Sequence, residues 1–335
     1  MYRQAFLLIM YKSSNSLIDL LKVLKTSGGD VFVHVDKKSD LNTLKKINEF
    51  TNVEIIKERF NISWGGFNMV KAMIALLKAA YNKNADYTHY VFLSGSDYPV
   101  WNGKKINRFF SSHRNKELVN AYCMTNNGCV HCSSKITKYY FFDHMNHIKT
   151  LSRIYNLFMS EVYRRKRKNS FISVGKKRLK VYFGSQWFAI TNDCAKYVLS
   201  KVSNKQLINY FKHSLAPDEM FFHTIIFNSK FGMNNLIGGP VEYSPKWNLF
   251  NYTFLDSSFL NCGEEIRIPK LLEKIRITSK KDKSRKNVGR GSIRFLNEKY
   301  FDEIIKSGYP FCRKIDDNYS NKLISELEMN VCRKR

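Results

Sequence analysis

The sequence predicts an α/β domain built on a mostly parallel, twisted sheet with helices on both faces. Three observations lead there. Strand-like and helix-like segments alternate through the N-terminal part of the chain, the order that generates parallel sheets. The strand candidates are nearly unbroken apolar runs, such as Val31-Phe32-Val33-His34-Val35 and Tyr90-Val91-Phe92-Leu93, as strands covered on both faces require. Polar, acidic or glycine-rich residues follow directly on those runs, at the carboxyl edge where open α/β sheets bind ligands.

The elements follow in order. Residues 6–11 read as the first buried strand. Ser16 stands where it would cap a helix whose Leu17, Leu20, Leu21 and Leu24 recur at helical spacing, and Gly28-Gly29 ends it. Residues 31–35 form a second strand, closed by Asp36. A helix is expected around 41–50, then a strand at 53–56. Trp64-Gly65-Gly66 turns the chain into a helix at 68–81. The strand at 90–93 runs into Ser94-Gly95-Ser96-Asp97-Tyr98-Pro99. Further on, an apolar run at 181–183 is closed by Gly184-Ser185-Gln186-Trp187, and Pro217-Asp218-Glu219 opens a helix rich in aromatic residues. A carboxylate at such a helix start, beside apolar neighbours, is a candidate general base.

Composition narrows the classes. The 335 residues, 44% hydrophobic, can bury a substantial core and argue against global disorder. No apolar run has the length of a bilayer span, and residues 5–10 are too short for a signal-peptide core. The 7 cysteines are irregularly spaced, which suggests reduced thiols and a cytoplasmic setting. Cys129-x-x-Cys132, with Cys123 and His131 nearby, has half the spacing of a zinc site and no second half, so no metal is expected there. The formal charge of +28 calls for an anionic partner: nucleic acid, anionic lipid or a phosphorylated small molecule. Residues 151–169 carry apolar Ile154, Leu157, Phe158 and Val162 ahead of Arg164-Arg165-Lys166-Arg167-Lys168. That pattern suits either a helix on an anionic membrane surface or a solvated basic loop. Residues 274–290 form a second basic stretch.

Taken together, His34-Val35-Asp36, Trp64-Gly65-Gly66, Leu93 through Pro99, Gly184-Ser185-Gln186-Trp187, Pro217-Asp218-Glu219 and Phe311-Cys312-Arg313-Lys314-Ile315-Asp316 resemble the core 2/I-branching β-1,6-N-acetylglucosaminyltransferase family. That family also includes peptide O-xylosyltransferases and bacterial members. The order and spacing fit over most of the chain, and residues 112–170 match poorly. The resemblance implies a GT-A-like, Rossmann-type nucleotide-sugar domain. It divides the single domain of residues 1–335 into a nucleotide-sugar half at 1–110, a variable region at 112–170, and an acceptor and catalytic half at 171–335 with a C-terminal diphosphate-binding segment.

The same resemblance implies inverting transfer from a UDP-sugar to a hydroxyl, without a metal. The chain contains no Asp-x-Asp, the pair that elsewhere holds a cation against the diphosphate. Fixed cations must then stabilise the departing UDP. Glu219 matches the family's catalytic base, and Asp218 points about 100° away if the two share a helix. Lys314, with Arg313 beside it, matches the lysine that holds the diphosphate. Arg294 matches its partner arginine, with Arg290 as the alternative register. Asp36 is expected near the uracil or ribose, or else as a helix cap or loop acid. Trp64 and Gly66 are expected to shape the nucleotide turn, and Ser94 and Asp97 to line the donor cleft. Ser185, Gln186 and Trp187 are expected at the sugar, and Trp247 on the acceptor side.

These expectations describe a bacterial enzyme on the inner face of the cytoplasmic membrane, making lipopolysaccharide or another surface polysaccharide. Its donor is UDP-N-acetylglucosamine, with UDP-xylose or other UDP-hexoses as alternatives, and its acceptor is a glycan or lipid-linked glycan. Two rivals compete: a basic nucleic-acid-binding protein, which the absence of any nucleic-acid-binding motif disfavours, and a glycan-binding family member without catalysis.

Overall fold

A computed structural model of the protein describes residues 2–40, 47–48, 50–83, 86–125, 130–143, 154–155, 158–159, 161–163, 165–244, 249–256 and 294–333. The central sheet has strands β1 (Arg3–Met10), β2 (Asp30–Val35), β3 (Val53–Ile55), β4 (Tyr87–Ser94) and β10 (Ala189–Thr191), in the order β10-β4-β1-β2-β3. β1 pairs in parallel with β2 and β4, and β2 with β3, while β10 runs antiparallel to β4. This is the mostly parallel α/β sheet that the apolar runs predict.

Alternation along each strand sends side chains to two cores. Ala5 and Leu7 of β1, Phe32 of β2 and Phe92 of β4 face helix α2 (Asn68–Asn82). Phe6, Leu8 and Met10, with Val31, Val33, Val35, Val91 and Leu93, face α1 (Asn15–Thr26) and α3 (Gly103–Ser112). Both faces are dry, so a charge anywhere in the middle of β1 would have no water to reach.

The caps differ from expectation at two helices. Ser14 caps α1, its side chain accepting from the Leu17 amide, while Ser16 sits buried inside the first turn. Either serine fits a Ser-x-Ser sequence, and the backbone extends at the first. At the start of α2, Phe67 occupies the capping position and has no acceptor to offer. Asp143 supplies one from a distant segment, taking the Asn68 amide on both oxygens at 3.2 and 3.1 Å. Most of the helix expected at 41–50 lies outside the described residues.

A second sheet joins β11 (Thr253–Leu255), β12 (Phe311–Arg313) and β5 (Tyr98–Pro99), with β12 central. Its own core holds Tyr98, Cys312, Ile304 of α8 (Phe301–Ser307), and Leu323 and Leu327 of α9 (Asn321–Arg333). The hairpin of β7 (Phe171–Val174) and β8 (Lys177–Lys180), and the pair of β6 (Ala121–Cys123) with β9 (Tyr182–Gly184), lie beyond β10. Helices α4 (Val130–Thr137), α5 (Asn192–Lys201), α6 (Lys205–Phe211) and α7 (Phe221–Phe227) complete the described order.

Candidate functional site

The carboxyl ends of β4, β1 and β2 lie in a row. The Gly95 amide donates to Ile9 O and the Asp36 amide to Met10 O, each at 2.9 Å. Two further segments are drawn to this edge. The residues after β12 cross it, with the Ile315 amide donating to Ser96 O at 3.0 Å. The residues between β9 and β10 run beside β4, where the Phe92 amide donates to Phe188 O. Residues 94–97, 184–187 and 313–315, far apart in sequence, therefore meet.

At their centre Asp97 and Arg313 form an ion pair, Nε to Oδ1 at 3.4 Å, with side chains 0% and 4% exposed. Asp97 also accepts from the Ser94 amide and from the Trp187 side chain. The Arg313 guanidinium lies 3.2 Å from the centroid of the Trp187 ring. Burial pushes the Asp97 carboxyl up, against the opposing pull of Arg313. Burial also draws Arg313 down to about 10. These three residues join the segments that meet here, and neither charge has a face open to solvent. Ser185 is buried with its Oγ accepting from the Trp187 amide, and Gln186 is half-buried beside it.

Lys314 follows this brace. Burial and the neighbouring Arg313 charge bring its ammonium down to about 8, so it remains a cation at neutral pH. Its carbonyl accepts from Leu296 N at 2.9 Å, which brings the segment of Arg294 alongside. Arg294 Nε stands 3.9 Å from Asp256 Oδ2, and Tyr300 donates its hydroxyl to the same oxygen at 2.7 Å. Arg290 and Trp247 lie outside the described residues.

Glu219 is reached through a strained approach. Ala216 has φ 52, in the left-handed region that a residue with a Cβ enters at a cost of about 1–2 kcal/mol. Its amide donates to Gly65 O at 3.1 Å, and its carbonyl accepts from the Glu219 amide at 3.1 Å. The turn Trp64-Gly65-Gly66 is thereby tied to the acidic pair. Asp218 and Glu219 occupy a 3-10 turn, Pro217–Glu219, ahead of α7, where the sequence reading expects the helix itself to begin. The left-handed Ala216 sets a tighter turn than an α-helical start allows. Lys135 of α4 places its Nζ 3.6 Å from Glu219 Oε2 and 4.1 Å from the Phe183 ring centroid. Burial pushes both carboxyls up. Asp218 rises to about 7, with the Glu219 charge adding to burial; Lys135 opposes the rise of both, and most at Glu219, which it also hydrogen-bonds. The Glu219 side chain keeps 26% of its surface.

The remaining expected residues lie on β2, just after it, and in the turn before α2. Asp36 is buried and takes the Lys38 amide at 2.9 Å on one oxygen, which is the turn-cap geometry; the Lys38 ammonium is 3.6 Å from the other. His34 accepts from the Phe60 amide at Nε2, and burial lowers its pKa to about 4, so it is neutral. Trp64 is exposed, with its ring edge-on to Phe142. A Cβ at Gly66 would meet Asp143 Oδ1 at 2.2 Å, so the glycine is what admits the distant cap of α2. Lys135, Asp143 and Asp256 went unread in the sequence. Each acts through a contact between distant segments, and none lies in a motif.

The family model described as Core-2/I-Branching enzyme matches residues 4–248. The chain belongs to this family. Among its relatives, a xylosyltransferase of Ciona intestinalis is 22% identical over 239 residues, covering 68% of this chain and 25% of that protein. Xylosyltransferase oxt of Drosophila melanogaster is 25% identical over 240 residues, 68% of this chain and 24% of that one. Human xylosyltransferase 2 is 24% identical over 238 residues, with 68% and 25% covered. The chain thus spans about a quarter of the length of the curated relatives it matches. Among solved structures, S. aureus TarS 1-349 aligns at a TM-score of 0.36 with 15% identity, over 73% of this chain and 59% of that one. Mouse xyloside xylosyltransferase 1 aligns at 0.30 with 11% identity, over 76% and 88%. The family match runs from β1 through α7, and so contains every segment of the site up to Glu219; the segment of Lys314 lies beyond it.

Proposed function

We propose that the protein is an inverting, metal-independent glycosyltransferase that moves a sugar, N-acetylglucosamine first among the candidates, from its UDP donor to a hydroxyl of a glycan. The observation that carries this reading is Glu219: a carboxylate set by a strained turn, mostly buried, paired with a cation and still partly open. In the reaction the acceptor oxygen attacks the anomeric carbon and gives its proton to Glu219. The bond from that carbon to the diphosphate breaks, and UDP leaves with the electron pair. Lys314, with the segment of Arg294 beside it, is taken as the source of fixed cations for the charge that grows on the diphosphate. The lack of Asp-x-Asp in the sequence makes such cations necessary.

The test is turnover of UDP-N-acetylglucosamine, by transfer or by hydrolysis to water, in wild type and Glu219→Gln. Turnover should fall about 10² to 10⁴-fold with UDP affinity kept within a few-fold, the usual contribution of a positioned base. Activity should survive excess EDTA. Wild-type turnover in Glu219→Gln sinks the base, and loss of activity in EDTA restored by one divalent ion sinks the metal-free mechanism.

The reading extends to location. Ile154, Phe158 and Val162, four residues apart and all exposed, precede the exposed Arg165, Lys166 and Arg167. An apolar strip beside cations suits the surface of an anionic membrane. Among the described residues no helix is long and apolar enough to cross one. A peripheral enzyme of bacterial surface-polysaccharide synthesis, acting on a lipid-linked glycan, fits this arrangement.

A further inference from the structure

Resting on Glu219 as the base, we propose that Lys135 is its positioning residue: it selects Glu219 over Asp218 as the ionised carboxylate of the pair and fixes where that carboxylate points. The argument begins with the pair itself. Two adjacent carboxyls in a mostly buried turn repel one another when both are charged, so one retains its proton. Nothing in Pro217-Asp218-Glu219 decides which. Lys135 does, because its Nζ reaches Glu219 Oε2 at 3.6 Å, and the ion pair is made with that carboxylate.

The ammonium is itself held in place. It lies 4.1 Å from the Phe183 ring centroid, a cation–π contact that stabilises the charge where water is scarce. The backbone of Lys135 accepts from the Leu215 amide at 3.1 Å, so α4 is joined to the strained residues leading into Glu219. Lys135 therefore touches the base, the strand before Gly184 and the turn at 215–219 together. The direction of the shifts agrees: Glu219's charge raises Asp218, and Lys135, which lowers both carboxyls, is the main opposition to burial at Glu219 and hydrogen-bonds it, whereas at Asp218 it is the smallest influence.

Other titratable groups pack nearby and have different partners. Asp143 accepts the Asn68 amide. His213 faces Tyr140 O through Nδ1. Lys168, which burial lowers to about 7, donates to the carbonyls of Tyr210 and His213 and to Ser214 Oγ. His223 is neutral and buried against Gly184. Because Lys168 titrates near neutrality, the comparison that matters is variant against wild type over the same pH range.

The experiment is carboxyl ¹³C NMR titration of the full chain labelled at Asp and Glu, with Glu219→Gln and Asp218→Asn used to assign the two resonances. It is paired with the pH dependence of UDP-N-acetylglucosamine turnover. Removing an opposite charge at this distance disfavours ionisation, so in Lys135→Met the Glu219 titration should move up by about 1 to 3 pH units. The acid limb of turnover should move up with it, and Lys135→Arg should restore most of both. A Glu219 titration that stays put in Lys135→Met overturns the proposal, whatever happens to activity. A shifted titration with Glu219→Gln fully active leaves Lys135 as the partner of Glu219 and removes the catalytic reading instead. If Lys135→Met does not fold, Lys135→Arg and Lys135→Gln decide: similar Glu219 titrations in those two would overturn the proposal.

Discussion

Two of the carboxylate–cation pairs among the described residues differ in kind. Asp97 and Arg313 are sealed, with a tryptophan face over the guanidinium and no exposed charge. Glu219 and Lys135 are ajar: 3.6 Å apart, with about a quarter of each side chain open. A sealed pair cannot give or take a proton with a ligand, so its value is to the fold. An open pair can exchange a proton with whatever enters beside it, and can do chemistry. The same contrast recurs in the basic stretch after Val162. Lys168 is turned inward onto three acceptors, while Arg165, Lys166 and Arg167 face outward. Inward charges should carry stability without catalysis, and outward charges the reverse.

The hardest test of that contrast is Arg313→Met. Leaving Asp97 buried without its cation should cost about 3–5 kcal/mol of unfolding free energy in urea melts. A loss under about 1 kcal/mol would mean that the pair is not a sealed brace. Next in size is Lys314→Ala. If fixed cations take the role of a metal, turnover should fall about 10²-fold or more while unfolding free energy changes by less than about 1 kcal/mol. Arg294→Ala should lower turnover less, being tied to Asp256, and Arg290→Ala not at all. A crippled Arg290→Ala with a normal Arg294→Ala would reassign the partner arginine. The smallest effects come from the basic stretch. Lys168→Met should destabilise by about 1–3 kcal/mol with vesicle binding intact. Replacing Arg165, Lys166 and Arg167 by alanine should weaken binding to anionic vesicles by about 1 kcal/mol each, with stability unchanged. Equal effects of the two on stability would erase the inward–outward distinction there.

The sheet could be read from sequence because β1, β2 and β4 are buried on both faces, and such strands leave continuous apolar runs. The turn into α2 could be read because Trp64-Gly65-Gly66 must bend tightly. The second sheet could not: β5, β11 and β12 have two or three residues each, too few to show any periodicity. The site divides in the same way. Glu219 and Lys314 stand in recognisable segments, whereas Lys135 lies in the region that matched poorly and is known only by what it touches. Asp97 and Arg313 were read as residues of the donor site, and the structure gives them a sealed setting that a motif cannot reveal. Trp247 and Arg290 fall outside the described residues, so their expected roles rest on the family resemblance.

A Cβ at Gly184 would lie 2.2 Å from the His223 ring and 2.5 Å from Asn120 O. His223 is on the helix that follows Glu219, and Gly184 begins the segment that reaches Trp187. The approach of that helix to the segment before Trp187 is thus set by an absent methyl group. No larger residue fits without prising the two segments apart. Any adjustment of their spacing has to be made elsewhere, because at this contact strand backbone and imidazole ring already touch.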